Sequence, residues 1–185
     1  MSELNEKRVA IIATDGFEQA ELESPKESLE KEGARVDVIA PKAGTIKGWN
    51  MTDWGRKVDV DRTLDQANPD DYDALVLPGG VMNPDKLRRD DRVLEFVKAI
   101  ADAGKPIAAI CHGPWTLIDA GLVKGRKMTS WPSLQTDLKN AGAEWVDEEV
   151  VVDNGLVTSR KPDDLPAFNS KLIEEIKEGI HAHAR

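Results

Sequence analysis

A flavodoxin-like α/β fold, a three-layer α/β/α sandwich around a mostly parallel sheet, is predicted by three observations on this chain. Short apolar runs alternate with helical stretches. Each run is closed by glycine or proline. The fourth, Ile107-Ala108-Ala109-Ile110, leads into the only cysteine, within Cys111-His112-Gly113-Pro114. Alternating strand and helix imply right-handed crossovers, a parallel sheet covered on both faces, and strand C-terminal ends gathered along one rim.

The elements follow in order. Arg8 to Thr14 reads as a buried strand, and Asp15-Gly16-Phe17-Glu18 as the loop leaving it. The next helix ends near Gly33 and has two possible starts. Ser24-Pro25-Lys26-Glu27 resembles a capping box with proline at the first helical position, or the helix starts near Gln19 and tolerates Pro25. Arg35 to Ala40 is the second strand. Residues 45 to 72 are polar and broken by glycine, with a small peripheral β excursion expected around Lys57 to Val60. Asp73 to Leu77 is the third buried strand, stopped by Pro78-Gly79-Gly80. Asn83-Pro84-Asp85 caps a short helix, and Asp91 to Ala103 forms an amphipathic one. Pro106 to Ile110 is the cysteine strand. Asn154-Gly155 turns a hairpin within Val150 to Ser159, and a last helix covers Pro162 to Ile180.

The 185 residues fit a single domain spanning 1–185. A net charge of −9 argues against non-specific binding to nucleic acid or an anionic membrane. The N-terminal residues are polar and run straight into a strand, so no signal sequence is expected. No apolar run approaches the ~20 residues that span a bilayer. One cysteine cannot form an internal disulfide, which points to a reducing, cytoplasmic compartment.

Cys111 sits where a strand turns sharply into a helix, the arrangement of a nucleophile elbow with Ala109 at its usual first glycine. Backbone N–H groups at the helix start favour an anion, so a depressed thiol pKa is expected. A lone cysteine is more often a packing residue. The turn residues and the adjacent histidine favour the reactive reading. His112 is the histidine base, since His181 and His183 lie in a tail expected to fray. Neighbouring side chains point apart, so direct contact between His112 and the sulfur is not required. Gly79, Gly80 and the His112 N–H are the oxyanion-hole candidates, glycine allowing close backbone approach. Five tryptophans are assigned mainly to packing, with Trp115 beside the crevice. The chain has no Walker loop, dinucleotide fingerprint or metal-ligand spacing, so neither cofactor nor metal is expected.

The chain resembles the PfpI (intracellular protease I) family, within the class-I glutamine amidotransferase-like superfamily that includes the Parkinson-disease-associated deglycase. The carriers are Asp15-Gly16-Phe17-Glu18 with Glu21-Leu22, Ala74 to Gly80, and Ala109 to Pro114. Further on come Gly125 to Ser130, Ala141 to Asp147 and Thr158-Ser159-Arg160. The resemblance implies that Glu18 touches the sulfur and donates a hydrogen bond to the thiolate. It also implies an acid from a neighbouring subunit for His112. Asp85 stands there, where the family pattern has glutamate and one residue fewer before it; as a first-turn helix residue it also suits the helix dipole.

The expected activity is addition of the Cys111 thiolate to a carbonyl, in a homodimer or larger homo-oligomer with a shared site. The family's activities are peptide hydrolysis, conversion of glyoxals to hydroxy acids and repair of early glycation adducts. Small reactive carbonyls suit a cysteine in a crevice better than a peptide does. The alternative is a non-catalytic oxidative-stress sensor or holdase that works through oxidation of Cys111.

Overall fold

The computed structural model describes residues 3–181. The first strand, β1 (Arg8–Ile12), leads to α1 (Gln19–Lys31) and β2 (Arg35–Ala40). The polar stretch after Gly44 forms β3 (Thr45–Asn50), β4 (Asp53–Asp59) and the two-residue β5 (Arg62–Thr63). Then come β6 (Ala74–Leu77), α2 (Met82–Leu87), α3 (Asp91–Asp102), β7 (Ile107–Ile110) and α4 (Pro114–Asp119). The chain continues through β8 (Lys127–Met128), α5 (Gln135–Asn140), β9 (Glu144–Trp145), β10 (Val151–Asp153), β11 (Leu156–Ser159) and α6 (Leu165–Glu178).

Seven strands make the main sheet in the order β10-β11-β7-β6-β1-β2-β5, and only the β10–β11 pairing is antiparallel. This is the mostly parallel α/β/α sandwich that the alternation of runs predicts. Side chains alternate across a strand, so consecutive residues enter different cores. Val9, Ile11, Val76, Ala108 and Ile110 pack with Leu22 and Leu29 of α1 and Phe168 and Leu172 of α6. Ala10, Ile12, Leu75, Leu77 and Ala109 pack on the opposite face with Val93, Phe96 and Ile100 of α3 and Leu117 of α4. Both faces are buried, which is why the central strands read as unbroken apolar runs.

Of the two possible starts for α1, the structure takes Gln19 and keeps Pro25 inside the helix. Leu22, Pro25 and Leu29 are all buried, so the ring replaces one helical hydrogen bond with packing on the sheet. The expected excursion near Lys57 is larger, a separate antiparallel hairpin of β3 and β4. Its polar residues give no clean two-residue period because much of β4 faces solvent. The hairpin is tied to the loop after β1: Gly16 N–H donates to Lys47 O at 2.8 Å and Trp49 N–H to Phe17 O at 2.7 Å. Short β8, β9 and α5 went unforeseen, since elements of two to six residues carry almost no periodic signal. His181 does not fray. Its N–H donates to Gly104 O at 2.7 Å, whereas His183 lies outside the described residues.

One wholly buried side chain fastens two of the loops on the C-terminal rim. Asn83 accepts the Thr14 N–H at 2.8 Å and donates to the carbonyls of Pro78 and Gly79 at 3.0 and 3.1 Å. Asn83→Ala leaves these groups unpaired without solvent and is expected to cost about 3 kcal/mol. A urea titration with a lower midpoint and unchanged slope would bear this out; a midpoint within error of the parent's would refute it.

Candidate active site

Cys111 has φ +62°, a left-handed conformation that a residue with a side chain seldom adopts. Its neighbours impose it. Cys111 N–H donates to Ser159 O at 3.1 Å, Trp131 N–H donates to Cys111 O at 2.9 Å, and Gly113 N–H returns to Ile110 O at 2.9 Å. A Cβ at Gly113 would lie 2.6 Å from Leu77 O, so the turn closes only with glycine there. The elbow read from the sequence is therefore physically present, at the end of β7 and the start of α4.

His112 Nδ1 lies 3.1 Å from Cys111 Sγ. Direct contact was not required by the sequence, because side chains of adjacent extended residues diverge. The left-handed backbone at Cys111 removes that divergence. The imidazole is stacked on Trp131 with ring centroids 6.1 Å apart and meets Trp115 edge-on at 5.1 Å. Trp115 is held in turn, its Nε1–H donating to Asp137 at 3.1 Å and the Arg88 guanidinium lying 5.2 Å from its ring. Burial pushes the His112 pKa below the usual imidazole value, so the ring is neutral at pH 7 and can accept a proton.

The wholly buried carboxyl beside the sulfur is that of Glu21, whereas the resemblance pointed to Glu18. Glu18 lies just before α1, and its Oε1 accepts the Met51 N–H at 3.1 Å on the hairpin side. Glu21, one turn later, has no solvent exposure and accepts the Gly79 N–H at 2.9 Å. Glu18 is the extended residue before the helix, so its side chain goes to the hairpin while Glu21 in the first turn faces the sheet, and the sequence offered both carboxylates. Burial, with help from Glu18, pushes the Glu21 pKa up to about 8, against the pull of the Gly79 N–H.

Burial also pushes the Cys111 thiol up, and Glu21 adds to the rise; the N–H groups of Gly80 and His112 oppose it. The low thiol pKa expected from the elbow is thus overturned in the resting chain. Desolvation outweighs the helix start, and the site rests with a thiol, a neutral imidazole and a protonated Glu21. The Gly79 N–H, one of three expected oxyanion donors, is already committed to Glu21. The His112 N–H is directed at the sulfur, and the Gly80 N–H is shared between the sulfur and Glu21. Asp85 lies exposed on α2, and no described residue of the same chain hydrogen-bonds to the other ring nitrogen of His112.

The DJ-1/PfpI family model matches residues 7–175. The chain belongs to the DJ-1/PfpI family. It is 46% identical over 169 residues to protein/nucleic acid deglycase 2 of Escherichia coli, covering 90% of this chain and 96% of that protein. It is also 46% identical over 169 residues to general stress protein 18 of Bacillus subtilis, with the same two coverages. Among solved structures, a two-domain protein of Anabaena variabilis with DJ-1/ThiJ/PfpI-like and ferritin-like domains superposes with a TM-score of 0.87 at 35% identity. That match covers 92% of this chain and 48% of the larger one, so this chain spans about half its length. For a chain of this family, Glu21, Asn83 and Trp131 are the site residues that sequence reasoning missed. Glu21 was within reach, because Leu22 and Leu29 mark the buried face of α1 beside it.

Two expectations follow from the buried carboxyl. Iodoacetamide labelling of Cys111 should have its midpoint above the ordinary thiol value of about 8.5. Glu21→Gln, which keeps a donor and removes the charge, should lower that midpoint. Glu21→Leu, which also removes the charge but supplies no donor, should lower it less. A native midpoint near 6 would contradict the arrangement. For stability, folded Glu21 titrates near 8 and an unfolded glutamate near 4.3, so the folded state holds the extra proton between them. That contribution is complete below about pH 4 and is lost as pH rises through 8. The Tm of Glu21→Gln relative to the native chain should therefore climb from about pH 5 to about pH 8 and then level off; a flat difference would exclude a buried proton on Glu21.

Proposed function

We propose that this chain is a cysteine-dependent enzyme acting on the carbonyl of small reactive aldehydes or early glycation adducts. The observation that carries the reading is the 3.1 Å approach of Cys111 Sγ to a neutral His112 Nδ1 on a strained elbow, beside two N–H groups. His112 takes the thiol proton as sulfur adds to the carbonyl carbon, and the new C–S bond pushes the carbonyl π electrons onto oxygen. The N–H groups of Gly80 and His112 meet that oxyanion. His112 or Glu21 returns a proton to give a neutral hemithioacetal. From a 2-oxoaldehyde, proton transfer between adjacent carbons gives a thioester, and water releases a 2-hydroxy acid with the free thiol. From a hemiaminal glycation adduct, sulfur replaces the amine on the carbinol carbon, the amine leaves with the thiol proton carried by His112, and the resulting hemithioacetal follows the same course.

Small substrates fit best because Cys111 is only 7% exposed, with Trp115 and Trp131 around His112 and little room for a peptide. The family relatives named as a deglycase and a general stress protein agree with work on reactive carbonyls under stress. A sensor that operates by oxidation needs a standing thiolate, and the raised thiol pKa weighs against it. The lone unpaired cysteine suits a reducing cytoplasm, and among the described residues no helix is long and apolar enough to cross a membrane. Residues 1–185 act as one domain.

When Nδ1 accepts the thiol proton, the neutral ring carries its own proton on Nε2 and needs an acceptor there. Asp85 of a second copy, across a two-fold contact, supplies it in this reading and gives each dimer two shared sites.

Turnover of methylglyoxal, with a glycated peptide as second substrate, tests the reading. Cys111→Ser and His112→Ala should each lose at least ~100-fold in kcat/KM while keeping the native Tm. Activity that survives Cys111→Ser rules the mechanism out. Mixing inactive His112→Ala with inactive Asp85→Ala should restore part of the rate through heterodimers; exchange of subunits without recovery refutes the shared site.

A further inference from the structure

The last turn of α6 and the residues after it gather three metal-capable side chains, on the rim opposite Cys111. Glu175, Glu178 and His181 offer ligand atoms that all lie within 4.8 Å of one another. His181 Nε2 is 2.9 Å from Glu175 Oε2 and 3.5 Å from Glu178 Oε2. Around a tetrahedral ion with bonds of about 2.0–2.2 Å, ligand atoms sit about 3.3 Å apart, between those two values. Gly179, at φ +86°, lets the chain turn back, and the bond from His181 N–H to Gly104 O fixes the histidine over the helix end.

A simple ion pair does not account for the group. Glu175 Oε2 and His181 Nε2 are both removed from solvent, yet neither has a hydrogen-bond partner among the described residues, because their 2.9 Å approach is not aligned as a hydrogen bond. The Glu175 side chain is only 7% exposed and is directed into the cluster. The nearby lysines are engaged elsewhere, Lys171 with Glu174 and Lys177 with Glu3. A helix C-terminus also favours a cation.

We propose that Glu175, Glu178 and His181 bind one divalent transition metal, with water completing a tetrahedral shell. The mixed imidazole and carboxylate set fits zinc, since calcium and magnesium take oxygen ligands. The ion would clip His181, whose N–H already bonds to Gly104 in the turn between α3 and β7, to the last turn of α6. No standard ligand spacing marks the group, because Glu-x2-Glu-x2-His places its histidine beyond the helix, where only the return over Gly104 brings it back.

The test uses the full chain carrying Cys111→Ser, which removes the competing thiol, stripped with chelator and titrated with zinc chloride by calorimetry. Cobalt chloride serves as an absorbance probe of tetrahedral geometry. One zinc per chain is expected, together with a Tm raised by zinc. His181→Ala and Glu178→Gln should each weaken binding by at least ~10-fold, the loss that even an outer-shell partner produces. Glu178 is half-exposed, so its replacement leaves the fold intact. No saturable binding by the parent, or a smaller loss in either variant, overturns the proposal.

Discussion

Beneath the elbow, the Glu21 carboxyl has no contact with water, accepts the Gly79 N–H and lies beside the Cys111 thiol. An ionised carboxylate there would be costly, so the surroundings must either neutralise it or give it partners. They do both. Its raised pKa keeps the proton, and the glycine amide satisfies one oxygen. That arrangement draws together the start of α1, the loop after β6 and the turn after β7, three segments far apart in sequence. Asn83 locks the first two from the other side. The position of the sulfur is thus set by a buried proton as much as by the sheet.

The architecture was legible because each central strand is buried on both faces and announces itself as an apolar run. The convergence of the Glu18 loop, Gly79-Gly80 and Cys111 followed from strand direction alone, and the Glu18 N–H does reach Gly79 O at 3.3 Å. Finer geometry was not legible. Choosing between Glu18 and Glu21 required the rotation of α1 against the sheet, and the helix start was itself ambiguous. The contact between Cys111 and His112 depended on a backbone angle that no residue code states. The sign of the thiol shift turned on burial depth, which a motif does not carry.

Placing a neutral thiol, a neutral imidazole and a protonated carboxyl together has a kinetic meaning. In the proposed mechanism the thiolate forms only as a carbonyl accepts the electrons, so stray electrophiles in bulk solvent meet a thiol and not a thiolate. The tryptophans around His112 extend this by excluding water from the ring. Reactivity is coupled to occupancy. The proposed metal ligands lie at the other rim of the sheet, where binding would stiffen the chain end without altering charge beside the sulfur.

The sheet's margins constrain how copies of the chain can meet. On one side β5 has only two residues, with Arg62 among them. On the other β10 has three, and its Asp153 side chain is held by Arg126 and by the Lys127 N–H. Neither margin offers a long run of free amides for a foreign strand to pair with. Extension of the main sheet from one subunit to the next is therefore disfavoured at both margins, which leaves helices, loops and the separate β3–β4 hairpin as the surfaces on which copies can meet.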